Sequence, residues 1–290
     1  MIVDDKHWFT EDYPEAGTAF SLRIRAKLHE EQTPFQKLEI YETEHWGNLM
    51  VLDGCVMLTS RDNFTYHEMM AHPVLFTHPD PKQVVIIGGG DCGMLREVLK
   101  HKAVERCVQV DIDERVTRAS ERFFPELCSA NDDPRAKLLF ADGLDYMRRL
   151  EPGSVDVVIV DSTDPVGPAE GLFGTKFMAD VWRALGDDGL MVQQSESPIL
   201  HLDTLLADVY TAMRGGGFTQ VRSLQFPVVG YPSGWWSATM AGKGDVDLTA
   251  FRETDAAAKP FATEYYNAAM HRAALAIPEF CKKLMANESR

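Results

Sequence analysis

The feature that most constrains the fold of this chain is an apolar run that leads directly into a cluster of glycines. Residues 84–87 read Val-Val-Ile-Ile without a polar interruption, which is typical of a parallel strand buried on both faces. Glycine occupies positions 88–90, and apolar residues then recur at helical spacing from Met94 to Leu99. The pattern predicts a strand, a tight turn and a helix, which together form the repeating unit of an α/β fold.

The same alternation continues further along the chain. Apolar runs predict strands at 107–112, 137–140, 155–160 and 190–193, and amphipathic stripes predict helices after three of them. Strands that alternate with helices in this way predict an open α/β sheet with right-handed crossovers. The last two runs, near 219–226 and 235–241, are joined by a turn without a helix. We expect these two strands to form an antiparallel hairpin at one edge of the sheet.

The segment before this sheet is predicted to consist mainly of strands. Runs at 35–42 and 49–58 carry apolar and β-branched residues, and the Asp53-Gly54 pair is a strong hairpin signal. The Pro-containing segment 77–81 is the best candidate linker. We therefore predict two domains, an N-terminal β-hairpin domain at 1–77 and a Rossmann-like α/β domain at 78–290.

A short helix is predicted between the hairpin and this linker. Asp62 is suited to be its N-cap, because an aspartate side chain accepts hydrogen bonds from the first free backbone N–H groups. Pro73 lacks a backbone N–H and is expected to end the helix. The predicted helix therefore covers about Asp62 to His72.

Composition and charge exclude several functional classes. The formal charge of −15 repels a phosphate backbone, so we expect no nucleic-acid partner. No apolar run approaches the roughly 18 residues that cross a bilayer, and the acidic N-terminus does not resemble a secretory signal. The five cysteines are odd in number and form no C-x-x-C pair, which is typical of reduced thiols. We therefore expect a cytoplasmic protein without a membrane contact.

Carboxylates follow the predicted strands at the points where ligands bind in open α/β sheets. They are Asp91, Asp111, Asp142, Asp161 and Glu196. Each one alone is typical of a helix cap or a turn. Five at one edge would repel one another and raise one another's pKa values, a cost that a cationic ligand would relieve. The sequence therefore predicts a cleft for a positively charged ligand.

The glycine turn narrows the identity of this ligand. Gly88, Gly90 and Gly93 match G-x-G-x-x-G, a pattern shared by dinucleotide-binding and adenosine-binding folds. In a dinucleotide site a pyrophosphate lies against this turn, where Asp91 would repel it. Asp111 is suited to a ribose diol, and Asp142 to an adenine amino group. Together they favour an adenosine that carries a cationic group such as a sulfonium.

A metal site is not predicted. Asp111 and Asp113 alternate along an extended segment, so their side chains point to opposite sides. His67 and His72 are five residues apart on a short helix, which is poor spacing for shared coordination. We therefore expect neither a metal nor another bound cofactor.

Several motifs resemble those of the spermidine synthases. They are I-I-G-G-G-D-C-G-M-L-R-E-V at 86–98, D-S-T-D-P-V-G-P at 161–168, R-D-N-F-T-Y-H-E-M-M at 61–70 and Y-P-S-G at 231–234. The resemblance runs from about Trp8 to Glu279. It implies a Rossmann-like, methyltransferase-type sheet with a small N-terminal β domain, assembled as a homodimer or homotetramer. It also implies an aminopropyltransferase, which uses decarboxylated S-adenosylmethionine as a co-substrate and putrescine as the usual acceptor.

The resemblance also implies the roles of individual residues. Asp161 corresponds to the proton acceptor, and Asp91 to the residue that holds the amino group of the aminopropyl arm. The residues implied to bind the polyamine are Tyr66, His67, Asp91, Asp161, Ser162, Thr163, Asp164, Gln194 and Tyr231. Those implied to bind the nucleoside are Gln36, Asp111, Asp142, Gly143 and Pro168.

Two residues depart from the family pattern. Asp111 stands where the family usually has Glu, which shortens the reach to the ribose by one methylene. Cys92 stands where Gly is common, and a thiol near a sulfonium would crowd the site or make it sensitive to alkylation. Two other functions stay open at this point, a diamine N-methyltransferase and a non-catalytic polyamine or nucleoside sensor.

Overall fold

The computed structural model describes residues 6–165 and 167–286, and for Pro168 and residues 283–286 it describes the backbone only. In the described N-terminal part, five strands form one antiparallel sheet in chain order. Their bounds are β1 Trp8–Tyr13, β2 Thr18–Gln32, β3 Lys37–Thr43, β4 Asn48–Leu52 and β5 Cys55–Thr59. Asp53 and Gly54 both have positive φ, as a two-residue type I′ hairpin requires. The predicted hairpin is therefore confirmed between β4 and β5.

Helix α1, Asn63–Thr77, links the two sheets and is longer than predicted. The expectation that Pro73 ends this helix is wrong, because Pro73 lies inside it. Almost every residue of α1 is buried, and this packing outweighs the loss of one backbone hydrogen bond. Asp62 does occupy the N-cap position, but its carboxylate makes no capping bond there. It accepts instead from the Gly230 N–H and the Thr59 hydroxyl.

The second sheet has seven strands in the described part of the chain. They are β6 Gln83–Gly88, β7 Arg106–Asp111, β8 Ala136–Phe140, β9 Val155–Asp161, β10 Leu185–Gln194, β11 Gln220–Pro227 and β12 Trp235–Gly242. Their order is β11-β12-β10-β9-β6-β7-β8. The five strands from β10 to β8 are parallel. The last two form an antiparallel hairpin at one edge, which confirms the prediction.

Helices cover both faces of this sheet. They are α2 Gly93–Leu99, α3 Glu114–Phe123, α4 Gly143–Arg149, α5 Thr175–Ala184, α6 Ala207–Gly215, α7 Glu253–Ala257, α8 Ala268–Ala274 and α9 Glu279–Ala286. Along β6, Val84 and Ile86 pack into one core cluster with α1 and α2. Val85 and Ile87 pack into a second cluster with α5 and α6. The continuous apolar run follows from burial on both faces, and the predicted α/β class is confirmed.

The position of α1 bears on the division into domains. Met69, Met70 and Val74 of α1 lie in the same core cluster as residues of β6, β9 and β10, so the helix packs on the second sheet. The boundary after residue 77 stays a prediction. In the ranges that the structure describes, we find no helix with the length and apolarity needed to cross a membrane.

Candidate active site

The carboxyl ends of the parallel strands open onto a cavity of about 420 Å³. The turns after β6, β7 and β9 form one side of it, and the N-terminal sheet contributes Gln36, Met50 and Cys55. Ligands of open α/β sheets bind at this edge. The cavity therefore lies where the two sheets meet.

The turn after β6 requires glycine because the backbone of β9 passes very close to it. Gly88 has a φ of +84°, and a Cβ atom there would lie 2.0 Å from the Asp161 carbonyl oxygen. The same carbonyl accepts a hydrogen bond from the Gly89 N–H at 2.8 Å. This close approach joins the two strand ends, and Asp91 and Asp161 both line the cavity.

Asp161 is the last residue of β9, and burial dominates its chemistry. Its Oδ1 accepts a hydrogen bond from the Tyr66 hydroxyl at 2.7 Å, while its Oδ2 is buried and has no hydrogen-bond partner among the described residues. Burial, and after it the negative charge of Asp91, raises the pKa of Asp161 to about 7. A carboxylate with one unpaired oxygen and a pKa near neutrality is suited to accept a proton.

The contacts of Asp91, unlike those of Asp161, favour the ionised form of the carboxylate. Its Oδ1 accepts the Gly93 N–H at 2.6 Å, and its Oδ2 lies 3.2 Å from His67 Nε2. Burial alone would raise the pKa of Asp91, but the His67 ring and the Gly93 N–H lower it below its ordinary value. The cavity therefore contains one carboxylate that is readily ionised, Asp91, and another, Asp161, that gains or loses its proton near neutral pH.

A hydrogen-bonded group joins the two sheets at one end of the cavity. Asp113 caps α3, and its Oδ2 accepts from the Thr33 hydroxyl at 2.7 Å and from Gln36 Nε2 at 3.0 Å. The Asp113 N–H donates to Asp111 Oδ1 at 2.8 Å, while burial raises the pKa of Asp111 to about 6. These contacts fix Gln36 and Asp111 on the same cavity wall.

Asp142 and Gly143 begin the helix at the far side of this wall. Asp142 Oδ1 accepts from the Leu144 N–H at 2.8 Å and the Asp145 N–H at 3.3 Å, so this carboxylate is the cap of α4. A Cβ atom on Gly143 would lie 2.6 Å from Ile87 Cγ2. Glycine therefore allows α4 to begin directly beside the end of β6.

Cys92 lies behind the glycine turn. Its φ is +68° and its side chain is fully buried. The thiol accepts a hydrogen bond from Gln109 Nε2 at 3.6 Å and contacts the Cys128 thiol. In the described part of the chain Cys92 does not contribute to the cavity wall, so the expected crowding of the site is not found.

A smaller cavity of about 40 Å³ continues from the other end. It adds Glu11 and Tyr13 of β1, Gln194 at the end of β10, Glu196 after it, and Trp236 to walls that both cavities share. Burial and the neighbouring Asp164 raise the pKa of Glu196 well above its ordinary range. Burial likewise raises the pKa of Glu11 to about 7. Several carboxylates at this end are therefore shielded from water, and a bound cation would compensate their negative charge.

Comparison with known proteins identifies the family. A family model described as "Spermine/spermidine synthase domain" matches residues 63–250. The chain belongs to the spermine/spermidine synthase family. A second model, "Spermidine synthase tetramerisation domain", matches residues 7–60. Members of this family are transferases, and this chain is one of them.

Similar proteins match over nearly the whole chain. The polyamine aminopropyltransferase of Alkalilimnicola ehrlichii is 68% identical over 98% of this chain and 99% of its own length. That of Methylococcus capsulatus is 65% identical over 96% and 97%. A crystal structure of a spermidine synthase with the transition-state analogue AdoDATO is 34% identical, with a TM-score of 0.93 over 98% and 96% of the two chains. The Thermotoga maritima spermidine synthase is 34% identical, with a TM-score of 0.90 over 97% and 94%.

Most of the residues predicted for the site surround the larger cavity. They are Gln36, Tyr66, Asp91, Asp111, Asp142, Gly143, Asp161, Ser162, Thr163, Asp164 and Tyr231. Gln194 lines the smaller cavity instead. His67 is only 1% exposed and reaches the site through Asp91. The side chain of Pro168 lies outside what the structure describes.

Glu11 and Tyr13 are two polar wall residues that the sequence analysis missed. In β1 the side chains alternate, so that Phe9 and Glu11 are buried on one face while Thr10 and Asp12 are exposed. A glutamate in register with a buried phenylalanine was a detectable signal, because a charged group rarely occupies the inner face of a strand without a partner. The hydrogen bond that Glu11 Oε2 accepts from the Val56 N–H of β5 at 2.8 Å could not be read from this signal.

Proposed function

We propose that this protein transfers the aminopropyl group of decarboxylated S-adenosylmethionine to putrescine, giving spermidine and 5′-methylthioadenosine. The observation that carries the proposal is the convergence of Asp91, Asp111, Asp161 and Asp164 on one cavity at the strand ends. Such a cavity favours cations, and both the sulfonium donor and the diamine are cations. Asp91 in the glycine turn disfavours the pyrophosphate of a dinucleotide.

The proposed reaction is a displacement at the carbon next to the sulfonium. The amine nitrogen forms a new bond to this carbon, the carbon–sulfur bond breaks, and its electron pair neutralises the sulfur. The attacking amine must lose a proton, and its pKa of about 10.4 makes this cost roughly 4 kcal/mol at a pH of about 7.4. The leaving thioether is neutral, so we propose that the reaction needs no metal or other cofactor.

Asp161 is the proposed general base. Its Oδ2 is unpaired among the described residues, while Tyr66 holds Oδ1 and is close enough to orient the attacking nitrogen. A base whose pKa lies near 7 both accepts and releases a proton readily at physiological pH. Most of the rate acceleration is assigned to alignment of nitrogen, carbon and sulfur.

We assign the two substrates to opposite ends of the cavity. Gln36, Asp111, Asp142, Gly143 and Pro168 are the proposed nucleoside contacts, and the Gln36–Asp113 hydrogen bond supports a wall built from both sheets. Tyr66, Ser162, Thr163, Asp164, Gln194 and Tyr231 are the proposed polyamine contacts. The additional carboxylates Glu11 and Glu196 favour a distal ammonium at this end.

Asp91 also offers a filter for the donor. Ordinary S-adenosylmethionine carries a carboxylate on its arm, and a like charge beside Asp91 in a cavity of low dielectric costs several kcal/mol. We expect Asp91→Asn to bind the decarboxylated donor more weakly and to lose most of its preference over the ordinary one. Competition binding with both donors measures the ratio, and an unchanged ratio would count against the filter.

The pKa of Asp161 predicts the pH dependence of the reaction. Protonated Asp161 cannot accept a proton, so kcat/KM should fall about tenfold for each pH unit below about 7 and level off above it. The free amine titrates near pH 10.4, so a break near 7 belongs to the enzyme. A profile without a break between pH 6 and 8 would contradict the assignment.

The assembly and location of the protein are proposed on separate grounds. The tetramerisation-domain match at 7–60 supports a homodimer or homotetramer, which light scattering would resolve. All five cysteines are free thiols, which supports the reducing cytoplasm.

The deciding experiment measures methylthioadenosine release by mass spectrometry. Decarboxylated and ordinary S-adenosylmethionine are each tested with putrescine, cadaverine, spermidine and agmatine. Release with the decarboxylated donor and putrescine supports the proposal, and the ranking of amines reports the length of the pocket. Methyl transfer from the ordinary donor would instead indicate a diamine N-methyltransferase. Binding without any transfer would indicate a polyamine or nucleoside sensor.

A further inference from the structure

His67 is buried behind Asp91. Its side chain is 1% exposed, and the ring lies against the backbone of Gly93, where a Cβ atom would come within 2.2 Å of His67 Cε1. The ring is not part of the wall of the larger cavity among the described residues. A histidine in this position meets the reacting groups through Asp91 rather than directly.

Two contacts fix the orientation of the Asp91 carboxylate. The Gly93 N–H binds Oδ1 at 2.6 Å, and His67 Nε2 lies 3.2 Å from Oδ2. The absence of a side chain at Gly93 is what allows the imidazole to come this close. Each carboxylate oxygen therefore has its own partner, the Gly93 N–H or the His67 ring, and these two contacts fix the rotation of the carboxylate.

The charges around this pair are unequal. Asp161 of β9, Asp111 of β7 and Tyr231 add negative or ionisable groups. Tyr66 of α1 donates to Asp161, and the Cys92 and Cys128 side chains lie behind the turn. Arg96 of α2 and His67 are the cationic groups that act on Asp91. Without His67, two neighbouring buried carboxylates would share a proton between them.

Burial would lower the pKa of His67, but the charge of Asp91 and its hydrogen bond raise it above the ordinary value. The pKa of Asp91 moves in the opposite direction, below its ordinary value. The two shifts are reciprocal, as expected for a hydrogen-bonded pair of opposite charge. Because His67 keeps Asp91 ionised, Asp161 is the one of the two carboxylates that takes up a proton first as the pH falls.

We propose that His67 is a positioning residue that acts through Asp91 and does not bind the acceptor amine. It keeps Asp91 ionised and turned toward the ammonium of the aminopropyl arm, so that Asp161 remains the base. This inference rests on the proposed aminopropyl transfer. It assigns His67 to the donor side of the reaction, whereas the family resemblance grouped it with the polyamine contacts.

The chain offers a matched control on the same helix. His72 is fully buried, and its Nε2 lies 3.1 Å from Glu97 Oε2, which is also fully buried. Neither residue lines the cavity in the described part of the chain. His72→Gln therefore removes a similar histidine–carboxylate pair without touching the site, and it reports the cost of that loss to folding alone.

The experiment compares His67→Gln and His67→Leu with wild type and His72→Gln. Glutamine keeps an N–H donor but not the positive charge, and leucine keeps neither. For His67→Gln we expect the acidic limb of kcat/KM to move up by about one pH unit. This shift lowers activity about fivefold at pH 7 and about tenfold well below it, and activity returns toward the wild-type value at higher pH. For His67→Leu we expect a similar shift and a rise of about tenfold or more in KM for the donor, so that kcat/KM stays below the wild-type value even at high pH. The KM for the amine should stay near the wild-type value in both variants.

Three outcomes would overturn the inference. They are a rise in KM for the amine with an unchanged donor KM, a pH profile identical to wild type, or the same shift in His72→Gln. A wild type that releases no methylthioadenosine would count against the proposed function instead. The inference is then decided by ¹⁵N NMR of the His67 ring, whose pKa should fall on Asp91→Asn. A ring that titrates identically in both proteins would refute it.

Discussion

Replacing Asp161 by asparagine is expected to lower kcat by about 10²–10⁴-fold, with both substrates still bound. The amide keeps the shape of the side chain and its hydrogen bond to Tyr66, but it cannot accept a proton from the amine. The loss should therefore appear in kcat and kcat/KM equally, because the missing interaction is made only as the reaction proceeds. Single-turnover measurement of methylthioadenosine release, with both substrates saturating, gives the change directly.

A control for this variant lies on the same strand. Asp156 is near the start of β9, where its Oδ2 accepts the backbone N–H groups of Lys82 and Gln83 at 2.8 and 2.7 Å. Asp156→Asn should weaken these contacts and lower stability slightly, while kcat stays close to wild type. If Asp161→Asn turned over at a normal rate, another group would have to be the base.

The strand-end carboxylates could be predicted because they depend on local patterns. An apolar run followed by glycine and aspartate defines where a buried strand ends, and parallel strands bring such ends to one edge. The prediction of a cationic ligand needed only this topology. Asp91, Asp111 and Asp161 do line one cavity, which confirms that the strand ends converge, while the cationic ligand stays a prediction.

The contacts between the two sheets could not be predicted in the same way. Gln36 is held by Asp113, which is 77 residues further along the chain, and no periodicity in either segment indicates this pairing. Pro73 shows that a local rule can also mislead. The rule predicted that the helix ends at this proline, but the helix continues through it because almost all of its residues are buried. Sequence patterns predicted features that depend on neighbouring residues, such as strand ends and tight turns. They did not predict contacts between segments that are distant in the chain.

Replacing Gly88 by alanine should damage both stability and catalysis. The residue has a φ of +84°, and an added methyl group would lie 2.0 Å from the Asp161 carbonyl oxygen and 2.8 Å from its carbon. Backbone strain and forced separation of β6 from β9 together should lower the free energy of unfolding by about 2–4 kcal/mol. Since this separation moves Asp161 relative to Asp91, kcat/KM should fall by about 10²-fold even in the folded fraction. Thermal unfolding and steady-state kinetics on the same preparation measure the two effects.

The variant Gly153→Ala measures the effect of backbone strain alone, without a close approach to another strand. Gly153 has a φ of +71° and no neighbouring atom within 4 Å of an added Cβ, so the substitution carries only the backbone cost of about 1–2 kcal/mol. We expect it to lower stability by this amount and to leave kcat/KM unchanged. Equal losses of activity in the two variants would mean that alignment does not depend on the contact between Gly88 and Asp161. A loss confined to Gly88→Ala would show that this one contact, between the ends of two neighbouring strands, sets the distance between Asp161, the proposed base, and Asp91, the proposed contact of the donor arm.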